Sequence, residues 1–160
     1  MENKKISKQV PTIIVCLDTT IASNIVLRYA CYKAKRIGFA VQILAVIESS
    51  YRNLPFVSKV VGKDKRQIIE KHLKKLIDEV NKETGITPSI SIREGDITTE
   101  IINEVSSTPN CTMLILGKSH NSLSDNTVLP KISNKIGYKI KVPISIVPED
   151  LSEEYLKLLV

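Results

Sequence analysis

The chain has 160 residues, of which 42% are hydrophobic and 25% charged, and this composition excludes wholesale disorder and predicts one globular domain. Its formal net charge is +6, but the basic residues are spread along the chain among acidic ones. With no Trp, two Phe and no recognition motif, the chain is not expected to bind nucleic acid. Its apolar runs are too short to cross a bilayer, so no membrane partner is expected.

The cysteines indicate a reducing compartment. Cys16, Cys31 and Cys111 form no CxxC pair and are odd in number, which favours reduced thiols over a disulfide framework. The two histidines lie far apart and leave little material for a zinc site. The polar first residues lack the apolar stretch of a secretory signal. We therefore expect a cytoplasmic protein without a bound metal.

The first elements form a strand, a helix and a second strand. Residues 1–10 are polar and are expected to be flexible. The β-branched run from Pro11 to Leu17 predicts a buried strand. Apolar residues at helical spacing from Ala22 to Ile37, followed by Gly38, predict a helix with a glycine stop. The apolar run from Ala40 to Ile47 predicts the second strand.

The middle of the chain repeats this order. A polar stretch with Pro55 and Gly62 is interpreted as a loop, and an amphipathic helix is predicted from Lys63 to Glu83. Alternation from Ser89 to Arg93 predicts a third strand. Asp96 is expected to cap the next helix. The buried stripe of that helix is predicted to contain Ile97, Ile101, Ile102 and Val105.

The last third adds two strands. Thr112 to Leu116 predicts the fourth strand, and Val142 to Val147 the fifth. Between them, a short helix is predicted from Val128 to Ile136, with Gly137 as its end. Residues 149–160 are expected to form a helical tail with acidic polar residues, packed on protein. Its predicted apolar stripe contains Leu151, Tyr155, Leu158 and Leu159.

This alternation predicts an α/β fold. Strands that alternate with helices form βαβ units, and their sheet is mainly parallel, with helices on both faces. Ligands of such open sheets bind beyond the carboxyl ends of the strands. The sequence has no GxGxxG after its first strand, no GxxxxGK[ST] and no GxSxG, which argues against a dinucleotide fold, a P-loop and an esterase. His120 near two serines is interpreted as part of a polar turn.

Four segments, in this order and spacing, carry a resemblance to a known family. They are IIVCLD at Ile13–Asp18, AKRIG running into ILAVIE at Ala34–Glu48, EGD at Glu94–Asp96, and MLILG at Met113–Gly117 closing with VPISIV at Val142–Val147. Together they resemble the universal stress protein family over residues 11–148, which we take as the domain.

The resemblance implies a single-domain sheet of five parallel strands in the order 3-2-1-4-5. It also implies a homodimer paired through the last strand, Val142 to Val147. In that family an Asp after the first strand and a Val near the end of the second hold adenosine, which are Asp18 and Val46 here. Nucleotide-binding members wrap the phosphates with G-x2-G-x9-G-[ST] after the fourth strand.

This chain departs from that phosphate motif. Gly117 matches the first glycine, but His120 and Pro130 stand at the second and third, and Lys131 at the Ser/Thr position. A side chain at a left-handed position costs about 1–2 kcal/mol, and proline has no N–H to donate. A lost hydrogen bond to a phosphate costs about 1.5–3 kcal/mol. We expect ATP binding to be weak or absent, although Lys131 adds positive charge.

The resulting prediction is a non-enzymatic stress-response or regulatory domain that acts through an unidentified protein partner. The candidate binding residues, by resemblance, are Asp18, Val46, Gly117, His120 and Lys131. The alternative is an ATP- or AMP-binding member that acts as a nucleotide-dependent switch, with or without slow hydrolysis. Pyrophosphatases of the wider adenine-nucleotide α-hydrolase group carry SGGxDS where this chain has LDTTIA, so that activity is disfavoured.

Overall fold

The computed structural model describes residues 9–17, 23–48, 55–118 and 137–159. Within these ranges strands and helices alternate along the chain, as the sequence predicts. The elements are β1 (Thr12–Cys16), α1 (Ser23–Ile37), β2 (Ala40–Ile47), α2 (Pro55–Thr84), β3 (Ser89–Glu94), α3 (Ile97–Ser107), β4 (Cys111–Lys118), α4 (Gly137–Lys139), β5 (Ile144–Pro148) and α5 (Glu153–Lys157).

The sheet confirms the predicted architecture. Its five strands are all parallel and lie in the order β3-β2-β1-β4-β5. The central strand β1 is buried along its whole length and pairs with β2 on one side and β4 on the other. Since a central parallel strand faces helices on both sides, its apolar run shows no polar alternation.

Two apolar cores lie on opposite faces of the sheet. Alternate residues of β1 point to opposite faces, so Ile13 and Val15 pack with α1 and α2, while Ile14 and Cys16 pack on the side of α3. The first core includes the predicted stripe of α2, and the second is smaller and is covered by Ile101 of α3. The carboxyl ends of β1, β2 and β4 are therefore anchored from both sides.

Helix α2 is longer than the sequence predicted. The interpretation of Pro55 and Gly62 as loop residues was wrong, because α2 begins at Pro55 and continues to Thr84. Proline suits a first helical position, where its fixed φ is helical and no N–H is needed. A helix tolerates an internal glycine at a cost of about 1 kcal/mol. At its other end α2 is followed, as predicted, by a glycine, and Gly85 has a φ of +79°.

Other boundaries shift by a few residues. The fifth strand begins at Ile144 and not at Val142, and Gly137 lies in the short helix α4 instead of ending a helix. The predicted helix from Val128 to Ile136 lies outside the described residues. The predicted cap of α3 is present, because the Asp96 carboxylate accepts a hydrogen bond from the Thr99 N–H at 3.0 Å.

The tail lies beside α1, and Leu151 of the predicted stripe packs against the first core, but the most buried residue of the tail is one that the stripe omitted. Leu156 is 1% exposed, whereas Tyr155 and Leu158 of the predicted stripe are 45% and 73% exposed. Helix α5 begins after Ser152, whose side chain accepts from the Tyr155 N–H at 3.1 Å. Over the described ranges, none of the helices combines the length and apolarity that a membrane crossing requires.

Candidate functional site

The strand order places a crevice at the end of β1. Strand β2 lies on one side of β1 in the sheet, and β4, which comes later in the chain, lies on its other side. Ligands of open α/β sheets bind beyond the carboxyl ends of the strands, at the point where the strand order reverses in this way. Cys16 pairs in register with Leu44 of β2 and Leu116 of β4. Val46 and Gly117 lie two residues and one residue further along those strands. The structure therefore brings these two predicted site residues to either side of the end of β1.

Backbone bonding extends the rigid floor of this crevice beyond the last residue of β1. The Leu17 N–H donates to the Leu44 carbonyl at 3.0 Å, and the Leu17 side chain is 3% exposed. The predicted residues Asp18, His120 and Lys131, and Pro130 with them, lie outside the described residues. The part of the site that the structure describes is therefore its floor, which is formed by the ends of β1, β2 and β4.

Gly117 has a structural role that the sequence did not reveal. Among the described glycines, those with positive φ are Gly38, Gly85 and Gly95, so Gly117 does not need a left-handed backbone. A Cβ at Gly117 would lie 2.9 Å from Cγ2 of Val26 on α1. Because a valine side chain has little rotamer freedom in a helix, it cannot easily move aside. The first glycine of the motif therefore lets α1 approach β4 closely.

This contact predicts the effect of a single methyl group. Gly117→Ala is expected to lower the free energy of unfolding by about 1–3 kcal/mol through overpacking. In a Val26→Ala background the same change should cost clearly less, because the clashing Cγ atoms are gone. Urea unfolding of the four variants measures both effects. Equal costs of Gly117→Ala in the two backgrounds would show that Val26 is not the obstacle.

Val46 is half-buried and belongs to the α3 side of the sheet. It packs against the apolar cluster of Ile14, Cys16 and Leu116, and it pairs in register with Arg93 of β3. Its side chain thus contributes to the core, while its position at the strand end exposes part of it beside the crevice. This place is compatible with the contact to adenosine that the resemblance implies.

The turn from β3 to α3 borders the same edge of the sheet. Gly95 has a φ of +148°, its N–H donates to the Ile47 carbonyl at 3.0 Å, and a Cβ there would lie 3.0 Å from Oε1 of Glu100. The following Asp96 caps α3. The positive φ therefore favours glycine at this position, which accounts for the Glu94-Gly-Asp96 segment, whereas the end of the flexible Glu100 side chain can move away from an added Cβ.

A polar network ties α3 to the sheet, and sequence reasoning missed it. Glu104 of α3 is 4% exposed and accepts hydrogen bonds from Arg93 of β3 and Gln42 of β2. Arg93 also donates to the Ser107 hydroxyl at 3.2 Å and to the Glu100 carboxylate at 3.4 Å. The hydrogen bond to Glu104 raises the pKa of Arg93. One feature of the sequence could have revealed this network: the carboxylate of Glu104 lies three residues after Ile101 and therefore on the buried face of α3.

The thiols and histidine described here do not form a reactive or metal-binding site. Burial raises the pKa of Cys31 to about 12 and also raises the pKa of Cys111, so both thiols stay protonated near neutral pH. None of the three cysteines forms a disulfide. His72 is exposed on α2. No group of three or more metal-ligating side chains occurs among the residues that the structure describes.

Comparison with known proteins gives a family and a fold. The model of the Universal stress protein family matches residues 10–148. No curated protein matches the chain. Similar solved structures include universal stress protein UspA from Lactobacillus plantarum, with 13% identity over 87% of this chain and 98% of that one and a TM-score of 0.72.

Two further similar structures contain adenine nucleotides. A universal stress protein from Archaeoglobus fulgidus in complex with dAMP has 13% identity over 87% of this chain and 98% of that one, with a TM-score of 0.59. A universal stress protein in complex with cAMP has 14% identity over 88% of this chain and 98% of that one, with a TM-score of 0.54. At sequence identities of 13% and 14%, the similarity to these structures establishes the fold alone.

Proposed function

Since the chain belongs to the universal stress protein family, we propose that it is a non-enzymatic regulatory domain whose crevice takes adenosine but holds phosphates weakly. The observation that carries this proposal is the triple departure from the phosphate motif at His120, Pro130 and Lys131. The domain, residues 11–148, would act through a protein partner, with residues 149–160 as a separate tail. Three cysteines that form no disulfide accord with a cytoplasmic location.

The adenosine half of the site has support from the fold. Val46 and Gly117 lie on either side of the end of β1, and Asp18 follows that strand in sequence. The similar structures with dAMP and cAMP show that two proteins of this fold bind adenine mononucleotides. A nucleoside needs a fixed floor and one or two polar groups, and this chain keeps the residue types for both.

The phosphate half is where this chain differs. A phosphate loop works through backbone N–H groups that approach the ligand closely, and glycines permit that approach. Pro130 has no N–H, and His120 carries a side chain where the motif has none. Lys131 supplies a single point charge, which is a poor substitute for a fixed array of donors. Each added phosphate should therefore contribute little affinity.

Calorimetric titration of the purified full chain with adenosine, AMP and ATP tests the proposal. We expect weak binding, with the three dissociation constants within about tenfold of one another, since 1.4 kcal/mol is a factor of ten. Asp18→Ala should weaken adenosine binding and serves as the control for the site. Micromolar ATP binding would favour the alternative, a nucleotide-dependent switch.

We also propose a homodimer paired through β5. This strand is at the edge of the sheet, and Ile146 on it is 48% exposed. An uncovered edge strand pairs readily with another chain, and a two-fold axis would join two copies of β5 antiparallel. The predicted segment from Val142 to Val147 would then be the centre of the interface.

Ile146→Asp is expected to convert the dimer to a monomer, because the pairing would bring two buried carboxylates together at the two-fold axis. Sedimentation velocity at a fixed protein concentration measures this. Ile68→Asp is the matched control, because Ile68 is 68% exposed on α2, away from the edge strand. A monomeric wild type, or equal effects of both substitutions, would argue against β5 as the interface.

A further inference from the structure

One arginine joins the tail to two helices of the domain. Arg28 of α1 donates to Glu83 of α2, with Nε–Oε2 and Nη2–Oε1 distances of 2.9 and 2.7 Å. The same guanidinium binds Glu153 of α5, with an Nη2–Oε2 distance of 2.7 Å and a second bond from Nη1. Tyr32, one turn further along α1, donates its hydroxyl hydrogen to Glu83. The Arg28 side chain is 17% exposed, whereas the side chains of Glu83 and Glu153 are 31% and 61% exposed, so the junction is open to solvent on the side of the tail.

Apolar and backbone contacts also hold the tail, and Leu151 packs against the first core. Leu156 lies three residues after Glu153, on the same side of α5, and is 1% exposed. Arg36 of α1 donates to the Leu158 carbonyl at 3.4 Å. A helix of five residues is not stable by itself in water. Helix α5, Glu153–Lys157, is therefore expected to be helical only while the tail is docked, so docking and helix formation are one event.

The helix that receives the tail also shapes the crevice. Val26, two residues before Arg28, is the side chain that lies against Gly117 of β4. Leu27 between them is 1% exposed, so this turn of α1 is packed on the sheet. The inner side of the turn thus contacts the crevice floor, while Arg28 holds the tail and α2. A change in the contacts of Arg28 would therefore affect the same turn of α1 that contacts Gly117.

We propose that residues 149–159 are a releasable strap, whose docking through Glu153 and Leu156 holds α1 against β4 and sets the crevice at Gly117. The match to the family model ends at residue 148, so the strap lies outside the matched region. Binding a partner to the strap, or modifying it, would then change the crevice from outside. The proposal does not depend on which ligand the crevice takes.

Hydrogen exchange of the full-length protein without nucleotide tests the strap. Glu153→Gln removes the charge that Arg28 binds, and we expect exchange in residues 149–159 and 23–37 to rise by roughly two- to fivefold, the range of a solvent-exposed ion pair. Glu154→Gln is the matched control, because the neighbouring Glu154 is exposed and is not a carboxylate that Arg28 contacts. It should leave both segments unchanged, and residues 40–47 serve as the internal reference.

Leu156→Ala is the second variant and should increase exchange in the same two segments more strongly. If exchange became faster in the tail but not in α1, the tail would not influence α1, and the proposal would be overturned. An equal increase in β2 would indicate general destabilisation and would also overturn it, as would an unchanged Glu153→Gln protein. Selective acceleration of the tail and α1 together is the outcome that the strap requires.

Discussion

Replacing His120, Pro130 and Lys131 by Gly, Gly and Ser is expected to tighten ATP binding by roughly a thousandfold, taking 1.4 kcal/mol per factor of ten. The gain has two physical sources. The gain at position 120 applies where the phosphate loop requires a left-handed backbone, in which a side chain costs about 1–2 kcal/mol and a glycine does not. A glycine at position 130 restores an N–H donor to a charged phosphate, which contributes about 1.5–3 kcal/mol. Calorimetric titration of the triple variant and the wild type measures the difference.

Adenosine is the control ligand for this comparison. Its affinity should stay unchanged in the triple variant, because the three positions are expected to serve the phosphates and not the nucleoside. Pro130→Gly alone should recover about one factor of ten or more, since a hydrogen bond to a charged group is restored. If the triple variant binds ATP no better than the wild type, these positions do not limit affinity. A parallel gain for adenosine would point to a general change in the crevice.

Arg93→Met is expected to lower the free energy of unfolding by about 3 kcal/mol, the lower end of the range for breaking a buried ion pair. The loss of stability comes from Glu104, the partner of Arg93. Glu104 is 4% exposed, and without Arg93 its carboxylate keeps only Gln42 as a donor among the contacts described. The Arg93 side chain is itself 30% exposed, which places the effect at the lower end of the range. Urea or thermal unfolding measures the loss.

A double-mutant cycle separates the pair from its members. Arg93→Met combined with Glu104→Met should be considerably more stable than Arg93→Met alone, because no buried charge is left without a partner. Arg66→Met is the control, since Arg66 is exposed on α2 and is expected to cost little. Additive effects of the two substitutions would mean that Arg93 and Glu104 do not stabilise the protein as a pair.

The fold could be predicted because it rests on local periodicity. Strand β2 has the predicted bounds, Ala40–Ile47, and the order of strands and helices follows directly from the alternating patterns. The prediction failed where a rule about one residue type was applied without its tertiary context. Pro55 and Gly62 are breakers in the interior of an isolated helix, yet α2 contains both, one of them at its first position.

The site could be predicted only in part, because close contacts between distant elements leave no local pattern. The sequence placed Val46 and Gly117 at strand ends, and the register of β1 with its neighbours explains why these positions come together. It could not show that Gly117 makes room for Val26, since the two residues are 91 positions apart. The pairing of Arg28 with Glu83 and Glu153 is likewise tertiary and has no sequence signature.

The most direct test of the proposed function is a calorimetric comparison of adenosine and ATP on the full-length protein purified without added nucleotide. Because His120, Pro130 and Lys131 replace the residues that would hold phosphates, the two ligands should bind weakly and with dissociation constants within about tenfold of each other. A micromolar dissociation constant for ATP, together with adenosine binding at least a hundredfold weaker, would contradict it, because the phosphates would then supply most of the affinity.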